Sequence, residues 1–204
     1  MSRTVDTDRI SGECWDRALF AYGTAQLFLK RSLRYRAYLR FLAFIGIAGP
    51  VVIGVVVIHH IVSPKHLDLF VWVVSVIAVI EALVSLWSLA ANWPDNLSYA
   101  QRSTAENLAL SSAFRELGQQ ADSPPVDLRI QFTELRSRDE SRRATDAEQG
   151  VTEKEKRYAH HAGLLQFKRQ CEGCKQVPTS MDPSDCGMCG RYALFNFSFG
   201  RKSK

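Results

Sequence analysis

The chain has no Gly-rich phosphate loop, no strained nucleophile-elbow motif and no HExxH pair, so the common sequence signatures of phosphoryl transfer, serine hydrolysis and zinc proteolysis are missing. It has no internal repeat and no low-complexity tract, which sets aside solenoids and disordered tethers. No basic stripe interleaved with aromatics appears outside one juxtamembrane cluster, so the net charge of +5 does not point to nucleic acid. A cleaved leader is not expected, because the first apolar run begins only at Phe41. Cysteine is scarce too, at 5 in 204 residues. Its distribution is uneven, and that is informative.

Four of the five cysteines fall in one pattern, Cys171-x-x-Cys174, eleven intervening residues, then Cys186-x-x-Cys189. A thiolate pair two residues apart holds one edge of a tetrahedral ion, and a second pair returning after a short loop closes the opposite edge. With all four positions filled by sulfur, the expected ion is a structural zinc, since catalytic zinc keeps a position for water. Gly190 fits a knuckle turn needing positive φ, and Gly187 fits backbone amides turned toward sulfur. Lys168, Arg169, Lys175 and Arg191 stand ready to offset the charge of the thiolates. A redox dithiol is the competing reading. It calls for one CxxC between a strand and a helix, and no such strand is legible here. Cys14 reads as a small buried hydrophobe. His160 and His161 point apart on a helix, beside a site that is already full. No enzyme is expected.

Mean hydropathy is near zero, at −0.13, but the average hides two apolar runs. Phe41 to Ile58 carries no charge and continues to Val62; a second run, Leu69 to Ala91, is broken only by Glu81. At about 1.5 Å per helical residue, each covers a hydrocarbon core of about 30 Å once its flanks are counted. The expected fold is therefore an all-α membrane protein. Residues 1–40 form an N-terminal amphipathic helix, residues 41–91 a two-span transmembrane hairpin (spans 41–62 and 69–91), residues 92–167 a cytoplasmic helical region, and residues 168–204 a four-cysteine zinc ribbon or knuckle with a frayed tail.

Lys30, Arg31, Arg34, Arg36 and Arg40 crowd the approach to the first span, while the connector carries Lys65 opposed by Asp68. The positive-inside rule then puts both termini in the cytoplasm of a multi-pass inner-membrane protein, where cysteines stay reduced. Asn92 to Asp95 reads as a helix restart, Ser123-Pro124-Pro125 as a stop, Gly150 as a further break, and the alternating charges of Val126 to Arg143 as a solvated face.

Glu81 is the one acid inside a span. Stepping 100° per residue groups it with Ser75, Ala78, Ala82, Ser85 and Ser88 on a small, polar face, opposite a greasy one. That face permits close helix packing; in an oligomer, Glu81, Ser75, Ser85 and Ser88 are the candidates to line a watery path. A protonated Glu81 hydrogen-bonded to a neighbouring helix is the plain alternative. Gly46, Pro50 and Gly54 form a packing stripe with a kink on the first span. His59, His60 and His66 sit at the outer end of the hairpin, and Trp72, Trp87 and Trp93 near the ends of the second span, as interfacial anchors do.

The stretch CEGCKQVPTSMDPSDCGMCG, with Pro178 and Ser180 ahead of its second pair, resembles the prokaryotic mobilome CxxCx(11)CxxC proteins. The segment from Ser32 to Leu117 is similar to SLATT domains through RYRAYLRF, the two spans and ANWPDNLSYAQRSTAENLAL. The resemblance implies a membrane effector of a mobile-element or anti-phage conflict system. It would meet the lipid bilayer, assemble as a homo-oligomer into a pore or perturb the membrane, and answer to a cytosolic sensor from the same system. The zinc module then serves docking or assembly. A membrane-anchored adaptor that recruits a cytosolic partner through that module is the alternative.

Overall fold

A computed structural model describes residues 2–58, 64–120 and 125–192; side chains are described for all of these except 2–6, 50, 52–58, 64–68, 70 and 125. The described residues form five helices and no strand: α1 (Ser2–Ile58), α2 (Pro64–Ala90), α3 (Trp93–Gln119), α4 (Pro125–Ala147) and α5 (Glu153–Phe167). The expected N-terminal helix and the first apolar run are a single helix, α1. Pro64 to Asp68, read from sequence as connector, open α2; proline is well tolerated at a first helical position, where its missing N–H has no partner to lose. His59 and His60, the break at Ser123-Pro124 and the tail from Phe199 lie outside the described residues, as do the side chains of Pro50 and His66 and the surroundings of Gly54.

The chain divides into two compact units, residues 1–29 with 102–204, and residues 30–101. In the first, α1 presents Ile10, Cys14, Ala18, Ala21, Ala25 and Phe28 as a buried stripe at three- and four-residue spacing. Ile10, Cys14 and Ala18 pack with Phe114 and Leu117 of α3 and Leu128 and Phe132 of α4. Two serines lash α1 to α3: Ser11 donates to the Gly118 carbonyl and Ser111 to the Ala18 carbonyl, each at 2.8 Å. Gly23 lets α5 cross α1 backbone to backbone, because a Cβ there would overlap the Ala159 carbonyl oxygen.

The charges of α4 are not all solvated, which corrects the expectation. Its inward face runs Leu128, Phe132, Leu135, Asp139, Arg142, Asp146, and Asp139 and Asp146 are both buried. Asp139 accepts from Arg17 of α1 at 2.7 Å and from Arg143 at 3.0 Å. Asp146 accepts from Ser103 and Asn107 of α3, each at 2.8 Å, and from Arg142 at 2.6 Å. Each of these buried carboxylates is thus satisfied by several donors.

In the second unit, Val71–Ala90 is the one helix among the described residues long and apolar enough to cross a membrane, with 20 residues at a mean hydropathy of 2.2 and only 6% of that stretch buried. Its less exposed positions recur every seven residues, at Val74, Glu81 and Ser88. Glu81 meets α1, for a methyl added at Gly46 would stand 3.2 Å from its Oε1 and one at Gly49 3.8 Å from its Oε2. The small, polar face is therefore split. Glu81 and Ser88 are covered, while Ser75, Ala78, Ala82 and Ser85 are exposed. Trp72 and Trp87 are exposed and Trp93 is half-buried, its ring 5.3 Å from that of Tyr38. The turn from α2 to α3 forms at Asn92, whose φ of +50° asparagine tolerates better than most residues, and whose carbonyl accepts from Asn96 at 2.9 Å.

Candidate metal centre

Each CxxC makes its own turn. In the first, the Lys175 N–H donates to the Cys171 carbonyl at 2.7 Å and the Cys171 N–H to the Gln176 carbonyl at 2.9 Å; in the second, the Gly190 N–H donates to the Cys186 carbonyl at 2.9 Å and the Arg191 N–H to the Ser184 carbonyl at 2.8 Å. Positive φ falls at Lys175 (58°) and Arg191 (54°), not at Gly190. Glycine is required at 190 for another reason, since a Cβ there would overlap the Ser184 carbonyl oxygen. A Cβ at Gly187 would meet nothing within 4 Å, so it is Met188 whose N–H points at the Cys186 sulfur, at 3.4 Å.

The four sulfurs lie within 4.8 Å of one another. Cys171 Sγ is 3.9 Å from Cys186 Sγ, and Cys174 Sγ is 3.8 Å from Cys189 Sγ. A disulfide needs about 2.05 Å. A tetrahedron with metal–sulfur bonds of about 2.3 Å has edges of about 3.8 Å, so the set fits one tetrahedral ion shared across the two turns. Such an ion would be held by Cys171, Cys174, Cys186 and Cys189 and would supply cross-linking, with no position open for a substrate. The metal-free thiols are unequal: the backbone N–H groups of Cys189 and Met188 draw Cys186 down to about 6, whereas burial pushes Cys189 up to about 12.

The centre is anchored in the helical core. Cys171 and Cys189 are buried against Leu19 of α1 and Leu164 of α5, with Cys174 and Cys186 packed around them. His161, which the cysteine pattern leaves without a role, has one in the structure. Its ring is buried, with Nδ1 2.7 Å from the Cys189 carbonyl oxygen and Nε2 2.8 Å from the Ser180 carbonyl oxygen. A neutral ring can donate to one of these, a doubly protonated ring to both. Tyr192 completes the seat, its ring edge-on to His161 at 5.3 Å and its hydroxyl donating to the Met181 carbonyl at 3.2 Å. The signal that could have found His161 is its place on α5 with Ala162 and Leu164, one buried face beginning ten residues before Cys171. Of the expected charge partners, Arg169 is engaged by Asp16 of α1 and Lys168 adopts the left-handed cap of α5.

Fold and site together define an all-helical protein with one long exposed apolar helix and a four-cysteine centre able to bind a metal. The family model for the mobilome CxxCx(11)CxxC proteins matches residues 11–192, and the chain belongs to that family. No curated protein and no solved structure matches it.

Proposed function

We propose that the protein is a membrane effector of a mobile-element or anti-phage conflict system, with α2 and the apolar end of α1 as a two-span, SLATT-like hairpin in the inner membrane and both termini cytoplasmic. Copies associate through small residues of α2 and either open a pore or perturb the bilayer. The zinc-loaded four-cysteine module gives the cytoplasmic helices a rigid surface for assembly or for a sensor protein from the same system. One observation carries the membrane reading: the side chains of Val71–Ala90 are almost wholly uncovered, an arrangement costly in water and favourable in lipid. Exposed Ser75, Ala78, Ala82 and Ser85 leave a small-residue face for a second helix.

The adaptor reading, in which the hairpin only tethers, draws support from Glu81. Its carboxylate is occupied by packing against Gly46 and Gly49. Native mass spectrometry from lipid nanodiscs, followed by ion-flux assays, separates the two. A ring-sized oligomer with one zinc per chain and ion leak supports the effector; a zinc-bound monomer or dimer without leak supports the tether.

A further inference from the structure

The unit formed by residues 1–29 and 102–204 carries a half-open cavity of about 860 Å³ between α1, α4, α5 and the cysteine turns, within the size range of small-molecule sites. Its floor is apolar, from Leu19, Leu27, Phe28 and Leu164. One wall is a stacked pair, Phe20 of α1 and His160 of α5, with ring centres 6.0 Å apart and planes 22° from parallel, and the Arg143 guanidinium lies 5.8 Å from the Phe20 ring centre. Neither the floor nor the wall uses the metal ligands.

Two polar groups at this cavity are left over. His160 Nε2 is buried and has no hydrogen-bond partner among the described residues. Arg157 is half-buried and makes no direct ion pair or hydrogen bond among the described residues, although its charge is felt by Glu153 one turn earlier on α5. The other lining cations are engaged, Lys156 with Glu153 at 2.7 Å, Arg143 with Asp139 at 3.0 Å and Arg169 with Asp16. Among the lining acids, Asp16, Asp146 and Glu153 are engaged in turn, and Glu172 is exposed. A molecule carrying several negative charges would meet Glu153 and Glu172; one carrying a single charge can settle on Arg157 alone.

We infer that this cavity binds a small planar aromatic molecule bearing one anionic group, its ring against Phe20 and His160 and its charge on Arg157. The ring pair with its guanidinium neighbour favours an aromatic partner. The buried His160 nitrogen gains the partner it lacks, and Arg157, whose interaction with Glu153 is longer-range, gains a direct counter-charge. The assignment stands whether or not α2 lies in a membrane, because every group it uses belongs to the first unit.

The test is isothermal titration of the full-length protein in nanodiscs with 2-naphthoate, with empty nanodiscs as the blank and uncharged 2-naphthol as the comparison. The expected result is saturable binding of one 2-naphthoate per chain. It should be at least tenfold weaker in Arg157→Gln at unchanged melting temperature, restored in Arg157→Lys and abolished by Ala147→Phe, which puts a ring into the cavity. Absence of saturable binding, equal binding of 2-naphthol, or wild-type binding by Arg157→Gln would each overturn it. If Arg157→Gln lowers the melting temperature, the Arg157→Lys variant decides, since restored binding in it upholds the charge assignment and lost binding refutes it.

Discussion

His161 Nδ1 lies 2.7 Å from the carbonyl oxygen of Cys189, so a histidine on α5 grips the backbone of a cysteine in the four-cysteine cluster. The other ring nitrogen holds Ser180, in the loop between the two CxxC turns. One side chain therefore fixes both the loop and the second turn. Outer-shell partners of this kind are worth about 10- to 100-fold in metal affinity. His161→Phe keeps the ring volume and loses the polar contacts of both ring nitrogens, so zinc affinity measured by chelator competition should fall by at least tenfold while the helical content by circular dichroism is kept. An unchanged affinity would reduce His161 to a space-filler.

Removing a ligand should do more than release metal. Cys171 is fully buried and packs with Leu19 and Leu164, so the centre and the helical core share side chains, and metal-binding free energy in such sites is largely folding free energy. If the cluster binds zinc as proposed, Cys171→Ser is expected to bind none and to expose the chain around residues 171–192 to protease. A variant that holds one zinc per chain and resists protease would refute the metal assignment.

The cysteines should separate by reactivity. Cys14 is buried in the core, and burial pushes its thiol up to about 11, with the neighbouring Glu13 charge adding to the effect. In metal-free protein near pH 7, Cys186, drawn down to about 6, should alkylate first, and the buried Cys14 and Cys189, both pushed up, should lag well behind it. The stability sign follows from the same shift. An unfolded thiol ionises near 9, below the folded value of about 11, so the contribution of Cys14 is full below pH 9 and is lost as pH rises toward 11. In Cys14→Ala, melting temperature should fall less steeply across that window than in wild type.

Much of this was legible in the sequence, for reasons tied to particular residues. The spacing of the four cysteines encodes its own geometry, because a CxxC turn is a local backbone event and two of them suffice for a tetrahedron. Pro94, Asp95 and Gly150 punctuate helices by local chemistry, and the helices start and stop near them. What stayed hidden depends on partners remote in sequence. The charges of α4 read as a solvated face because nothing near Asp139 announces Arg17, 122 residues away. His161 looked idle because its acceptors are carbonyls, which any residue supplies. Gly190 was assigned the right importance for the wrong reason, since the close approach of Ser184 is a tertiary fact.

The buried pair in α4 gives a stability test. Asp139 is 1% exposed and accepts from Arg17 and Arg143, while Arg17 also pairs with the more exposed Glu13 and Glu140. Removing one partner of a buried pair commonly costs about 3–5 kcal/mol where the other charge is left alone, so with those two acids remaining Asp139→Ala should lower the melting temperature by less than that range implies, and Arg17→Met with Asp139→Leu should recover part of the loss. If the double variant is no better than the single one, the cost lies in packing and not in the stranded charge.

Glu81 decides between the two proposed modes of action. Its carboxylate sits against Gly46 and Gly49, on a helix whose side chains are otherwise almost wholly exposed and apolar. A carboxyl at the centre of a bilayer span is unfavourable by about 3 kcal/mol on insertion scales, so Glu81→Leu should insert at least as well as wild type. Under the effector reading the same substitution abolishes ion leak from proteoliposomes, and Glu81→Gln, which keeps a polar group against the two glycines, leaves part of it. Under the adaptor reading neither substitution changes leak, because there is none to change, and replacing the apolar face with leucines preserves function. A leak that survives Glu81→Leu at full insertion would leave the pore standing and remove Glu81 from it, moving attention to exposed Ser75 and Ser85 on the same helix.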